Sequence, residues 1–224
     1  MKVAILNDTH CGVRNSSDIF LNYQRRFYEE VFFPYLKEHD IKQILHLGDY
    51  YEHRKFVNFK ALNQNRRDFL EPMRDAGITM DIIPGNHDVY FKNTNELCSL
   101  KELLGYFTSN VNIIMKPKVL DYAGCGVAAI PWINNSNYAE YTKFLKNCKA
   151  SIVGAHLELK GFDMMAGISN PHGMEGVAPR WPRAGAALLG FSGVAAGAFG
   201  AHGLRDLVTL EQLNTWNTAA DYQL

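Results

Sequence analysis

Four times along this sequence an apolar run breaks off into residues that bind metals. Residues 2–6 lead into Asn7-Asp8-Thr9-His10, and residues 41–47 lead into Gly48-Asp49. Residues 78–83 end in Pro84-Gly85-Asn86-His87-Asp88, and residues 151–154 end in Ala155-His156. Short apolar runs bounded by turn residues read as buried strands, and polar clusters at their carboxyl ends read as sites of function.

Between the runs lie helical patterns. Ser17 or Asp18 can cap a helix in which Ile19, Tyr23, Phe27, Val31 and Tyr35 recur at i+4 and form an apolar face. Pro34 should bend or shorten its last turn. A polar helix over 60–76 closes at Gly77, and others are expected near 96–104 and 138–147. Short β-like runs at 111–115, 119–122 and 126–130 complete the pattern. Strand–helix alternation followed by β-rich segments predicts an α/β layered fold.

The residue types at the strand ends fit one chemistry. Asp8 and His10 are two apart, so both can project toward one point. Carboxylate, amide oxygen and imidazole together suit Mn²⁺, Fe²⁺ or Zn²⁺. A carboxylate between two ligand groups can bridge two ions about 3.5–4 Å apart, which clamp the attacking and leaving oxygens of a phosphoryl displacement. A single Gly-Asp or Asn-His-Asp would be only a polar turn; the ordered set of four is what points to a metal site.

Composition announces no particular partner. Lys and Arg number 23 against 23 Asp and Glu, so no basic excess announces a nucleic-acid binder. Cys11, Cys98, Cys125 and Cys148 form no Cys-x-x-Cys pair, which argues against a thiolate metal site or a disulfide framework and for a reducing compartment. The apolar run before Asn7 is too short for a signal peptide. His46, inside a strand, reads as a hydrogen-bonded packing histidine, and Cys11 as a buried bystander.

From residue 1 to about 175 the sequence resembles the calcineurin-like metallophosphoesterases, and within them the phage recombination endonuclease subunits related to bacterial SbcD. The stretches that carry the resemblance are NDTHCG, LGDYYEHRK, PGNHD, IPWI and GAHLELKGF, with His172-Gly173 in PHGME. The resemblance implies a β-sandwich flanked by helices and a phosphoester hydrolase, a DNA nuclease, using two divalent ions, Mn²⁺ first. It implies that Asp8 and His10 hold one ion, Asn86 and His156 the other, and that Asp49 bridges them. His87 would sit over the scissile phosphate, with Asp88 orienting it. Arg54 matches a basic position of the phage branch that could contact substrate phosphate; the other reading is a solvated arginine at a helix start.

The family pattern stops after about residue 175. A last motif, Gly-His-x-His, should complete both metal spheres, and residues 176–224 contain none. Gly200-Ala201-His202-Gly203 offers a single imidazole and is not expected to replace it. Between Arg183 and Arg205 there is no Asp, Glu, Lys or Arg, which suits a membrane span or a buried Ala/Gly-rich helix. Gly193 and Gly197 form a small-xxx-small pair. Residues 186–224 resemble the start of a small bacterial multi-pass membrane protein family, through GAFGAHGL and WNTAADYQL. These readings divide the chain into a phosphoesterase domain at 1–175, a junction at 176–183 and a membrane-protein-like helical segment at 184–224. The joint is either a genuine fusion or an artificial splice.

Two expectations follow. The chain is a phosphoesterase of impaired activity, or it is a catalytically dead remnant tethered to a membrane through 184–204. Residues 1–175 are expected in the cytoplasm. DNA is the expected substrate partner by resemblance. The family's other partner, an SbcC-type SMC-like ATPase, is not expected here, because the segment that would bind it is missing from the pattern.

Overall fold

The computed structural model describes residues 1–107 and 109–157, and the backbone of 163–165 and 168–169. The chain divides into two units, Met1–Leu157 and Glu158–Leu224. In the second unit a short antiparallel hairpin pairs Asp163–Met165 with Ile168–Ser169. The junction and the apolar segment inferred at 176–224 lie outside the described residues.

The first unit is a mixed α/β fold. Strands β1 (Ala4–Leu6), β2 (Gln43–His46), β3 (Thr79–Ile82) and β4 (Val111–Ile113) form a parallel sheet in the order 1-2-3-4. A second sheet pairs β5 (Lys118–Tyr122) antiparallel to β6 (Cys125–Ile130) and β6 parallel to β7 (Ile152–Ala155). Leu45 in β2, with Leu47 and Ile83 just past the ends of β2 and β3, packs with Leu120, Val127 and Ala129 from the second sheet, which makes the layered sandwich expected from the sequence. The opposite face of the first sheet, with Ile44, Met80 and Ile82, packs against helices in a larger core. Period-two alternation sends Ile44 and Leu45 to these two different cores.

A long helical stretch, Asp18–Arg26, Phe27–Phe32 and Phe33–Glu38, covers that face. Its central part widens to π-type turns. The same happens at Arg66–Leu70, ahead of Pro72. In both places the proline lacks an N–H and its ring crowds the carbonyl four residues back, and a wider turn relieves the clash without ending the helix. Pro34 therefore does not stop the helix before Glu38.

The expected apolar face is on the wrong side. Ile19, Tyr23, Phe27, Val31 and Tyr35 are exposed, whereas Leu21, Tyr28, Phe32 and Leu36 are buried. Tyr28 packs on Phe69 at 4.8 Å between ring centroids, which ties this helix to the Phe59–Asp75 helical stretch. That stretch ends as expected at Gly77, whose φ of +63° supplies the left-handed residue. The amides of Gly77 and Ile78 return to the carbonyls of Arg74 and Met73.

Candidate metal centre

All four strands of the first sheet run in one direction, so the loops after β1, β2 and β3 meet at one end. The loop after β1 lies along the loop after β2 by backbone bonds from Asp8 N to Gly48 O, His10 N to Asp49 O and Cys11 N to Tyr50 O. Asp8, His10 and Asp49 all have positive φ, 50°, 41° and 53°. Left-handed backbone at non-glycine residues costs energy, and such strain clusters where side-chain direction matters for function.

The β2 and β3 loops are pressed together. A Cβ at Gly85 would lie 2.2 Å from Asp49 Oδ1 and 2.4 Å from Asp49 N. Only glycine fits there, and His87 N donates to Asp49 Oδ1 at 2.8 Å across the same contact. Asp88 locks the arrangement from beneath. It is fully buried, and its carboxylate accepts from the amides of Tyr50, Tyr51 and Gly85 at 2.9–3.2 Å. Burial pushes its pKa up to about 6, and the neighbouring Asp49 adds to the rise; the three N–H bonds oppose it.

The second sheet supplies the remaining candidate ligand. β7 is parallel to β6 and delivers His156 beside the Asn86 loop. His156 Nδ1 lies 3.0 Å from the Leu47 carbonyl, which can only accept, so this nitrogen carries the proton. Nε2 then presents a lone pair, and it faces Asn86 Oδ1 at 2.9 Å. Two acceptors face one another at about the spacing of adjacent ligands on one cation with bonds near 2.1 Å. The donor set therefore fits a divalent ion.

Asp49 Oδ2 stands between the two groups, 3.7 Å from His10 Nε2 and 3.5 Å from His156 Nε2. Asp8, His10 and Asp49 each bring one ligand atom within 4.8 Å of the others. All five residues read as metal ligands from the sequence thus converge, with Asp49 in the middle.

His87 stands at the edge of this cluster, its ring 4.9 Å from that of His10 in a T-shaped contact. Its Nδ1 donates to the Glu52 carbonyl at 2.5 Å, which leaves a lone pair on Nε2 of the neutral ring. Asp88 was expected to orient this ring. Its carboxylate is instead spent on three backbone amides, and the ring is oriented by Glu52. The Glu52 carboxylate also lies 2.9 Å from His10 Nδ1, and His10, Glu52 and His87 form a second group of possible ligands. Glu52 was not singled out from the sequence; its place three residues after Asp49 was the available signal.

Arg54 is half-buried. Its guanidinium lies 5.2 Å from the Trp132 ring centroid and reaches the Val89 carbonyl at 3.4 Å. It is therefore held between loops, not loose in solvent as the alternative reading had it. Trp132, from IPWI, donates its backbone N–H to Pro84 O, and its carbonyl accepts from Asn95 and Asn137. This segment anchors the β3 loop. His46 is fully buried, accepts from Gly48 N through Nδ1 and meets Thr9 Oγ1 through Nε2. Burial, with His156 and His10 nearby, lowers its pKa to about 3, which fits a neutral packing histidine. Cys11 is buried and its thiol is pushed up to about 12, so it is inert.

A mixed α/β fold with carboxylates, an amide and imidazoles gathered at its strand ends defines a metallophosphoesterase-type protein. The sequence profile of the calcineurin-like phosphoesterases matches residues 1–179, and the chain belongs to that family. It is 32% identical over 175 residues to exonuclease subunit 1 of Enterobacteria phage T4, an alignment covering 78% of this chain and 50% of that protein. The chain thus spans about half the length of this relative. Among solved structures, a nuclease MPE of Pseudomonas putida is 19% identical, over 53% of this chain and 50% of that one, with a TM-score of 0.33. An overlay that slight adds nothing to the family assignment.

Proposed function

We propose that the chain is a two-metal phosphodiesterase acting on DNA. The observation that carries this reading is the position of Asp49 Oδ2, 3.7 Å from His10 and 3.5 Å from His156, as a bridge between two half-sites requires. Asp8 and His10 would hold one ion and Asn86 and His156 the other. Mn²⁺ suits this mixed oxygen and nitrogen donor set. When bound, such a pair supplies charge neutralisation and an acidified water.

The chain's own residues do the rest. Glu52, through its carbonyl, orients the His87 ring so that Nε2 can face the scissile phosphate; a doubly protonated His87 would give the Nε2 proton to the leaving oxygen and return to the neutral form with Nδ1–H still on that carbonyl. Arg54, stacked on Trp132, is placed to steady a phosphate oxygen. Asp88 holds the β2 and β3 loops in register, so that ligands from two strands keep their spacing.

Residues 176–224 contain no Gly-His-x-His. Short of those histidines, each ion would be held by fewer protein ligands, so turnover by this chain should be low. DNA as substrate rests on the relative's description as an exonuclease subunit. The same description, as a subunit, supports a partner subunit for this chain; an SbcC-type ATPase is not proposed. The apolar run 184–204 keeps the second reading alive, a membrane-tethered remnant without turnover. Among the described residues no helix is long and apolar enough to cross a membrane, and that run lies beyond them.

Cleavage of single-stranded DNA, duplex DNA and a small aryl phosphate should be compared with and without Mn²⁺, for the parent and Asp49→Ala. Weak, Mn²⁺-dependent DNA cleavage lost in Asp49→Ala is expected. Metal-independent cleavage, or a preference for the monoester, would overturn the proposal. Membrane recovery that persists after deletion of 184–204 would remove the tether reading.

A further inference from the structure

Beside the metal centre lies a surface of which the phosphodiesterase reading uses only Arg54. Residues 53–60, HRKFVNFK, follow Glu52 directly, and residues 89–95, VYFKNTN, follow Asp88 directly. Neither contains an Asp or Glu. The His53 and Phe56 rings stack at 4.4 Å, and Tyr90 and Phe91 meet edge to face at 4.8 Å. Lys55 Nζ lies 5.5 Å from the Tyr90 ring centroid and joins the two pairs into one patch.

The aromatics face outward. Phe56 is 60% exposed, Phe91 45% and Tyr90 37%. Lys55 and Lys92 make no ion pair among the described residues, whereas the neighbouring Lys60 is paired with Asp18. A cluster of exposed rings would ordinarily suit a protein partner. Lysine, however, is depleted at the centre of protein interfaces, and cations alternating with open ring faces match a polyanion that carries its own rings.

We propose that this patch is a stacking platform for an unpaired DNA strand. Its bases would lie on Phe56 and Phe91, and its phosphates would be taken by Arg54, Lys55 and Lys92. The strand would then reach the metal centre directly, because the platform begins one residue from Glu52, whose carbonyl holds the His87 ring. Duplex DNA keeps its base faces stacked on one another, so it could use the cations and not the rings. The proposal rests on the DNA-phosphodiesterase reading and names the form of substrate that the site selects.

The test is fluorescence anisotropy with the full chain in EDTA, so that cleavage cannot intervene. Labelled oligo-dT and a hairpin duplex of equal length are the probes. The parent should prefer the single strand. Phe56→Ala/Phe91→Ala should weaken single-strand binding roughly tenfold and duplex binding less than twofold. Lys55→Gln/Lys92→Gln should weaken both and flatten the salt dependence. Phe56→Leu/Phe91→Leu, which keeps apolar bulk and removes the ring face, guards against a folding defect and should repeat the single-strand loss. Equal losses on both probes, no loss on the single strand, or no preference in the parent would each overturn the platform. Hydrolysis of bis(4-nitrophenyl) phosphate by the parent with Mn²⁺ reports the metal centre separately. If it is absent while single-strand binding behaves as described, the phosphodiesterase reading fails and the platform stands.

Discussion

His156 Nε2 and Asn86 Oδ1 face each other at 2.9 Å with a lone pair on each, because His156 has committed its proton to the Leu47 carbonyl. A cation between them would turn repulsion into coordination. Replacing His156 by Ala should therefore remove one Mn²⁺ and spare the other, whose ligands Asp8 and His10 come from a different loop. In Mn²⁺ titrations followed by electron paramagnetic resonance, the affinity of one ion should fall at least tenfold. Two ions bound as tightly as by the parent would show that His156 is not a ligand.

Asp49 is predicted to matter to both ions. Asp49→Asn keeps an oxygen for the His87 amide, so the loop contact survives, and it removes the charge that the two half-sites share. Both ions should weaken, and Mn²⁺-dependent phosphodiester cleavage should fall about a hundredfold or more. The melting temperature in EDTA should stay near that of the parent. A variant that melts early would show that Asp49 serves the fold more than the metal.

The convergence of the candidate ligands was legible because each of them follows an apolar strand, and parallel strands bring their carboxyl ends together whatever the exact boundaries. The helix face was not legible. Residues 18–38 carry apolar side chains on two sides, and i+4 spacing fits Ile19-Tyr23-Phe27-Val31-Tyr35 as well as it fits Tyr28-Phe32-Leu36. Periodicity alone could not choose between them, and Tyr28 wins because Phe69 lies opposite. The work of Asp88 was hidden for another reason. Its partners, the Tyr50 and Tyr51 amides, belong to a loop 37 or 38 residues away, and nothing in a local motif reports a backbone bond across that distance. Glu52 acts on His87 through its carbonyl, so its side-chain type carried no signal and only its place three residues after Asp49 did.

Two glycines separate close approach from backbone freedom. At Gly85 an added methyl would meet Asp49 at 2.2 Å, in a loop with no room to yield. Gly85→Ala should cost about 3 kcal/mol or more in urea unfolding, and it should disturb Mn²⁺ binding because Asp49 must move. At Gly77 φ is +63° and nothing lies within 4 Å of an added Cβ. Gly77→Ala should cost only the left-handed penalty, roughly 1–2 kcal/mol, with Mn²⁺ binding unchanged. Equal costs at the two positions would mean that the packing of the β2 and β3 loops is looser than the Asp49–Gly85 contact indicates.

His46 makes stability depend on acid. An unfolded imidazole takes a proton below about 6.5, whereas burial keeps folded His46 neutral down to about 3. Between those values the unfolded chain binds more protons, so stability rises with pH across that window and is lost as pH falls from about 6.5 toward 3. His46→Gln removes the titrating group and keeps an N–H for Thr9. It loses the acceptor for the Gly48 amide, which should cost about 1–3 kcal/mol at pH 7.5. Urea unfolding of parent and variant from pH 4.5 to 7.5 tests this directly. Carboxylates contribute the same slope to both proteins, so the difference isolates His46. The variant's stability should fall less steeply on acidification, and the two curves should approach one another near pH 5. Parallel curves would show that His46 is protonated as readily in the folded protein as in the unfolded chain.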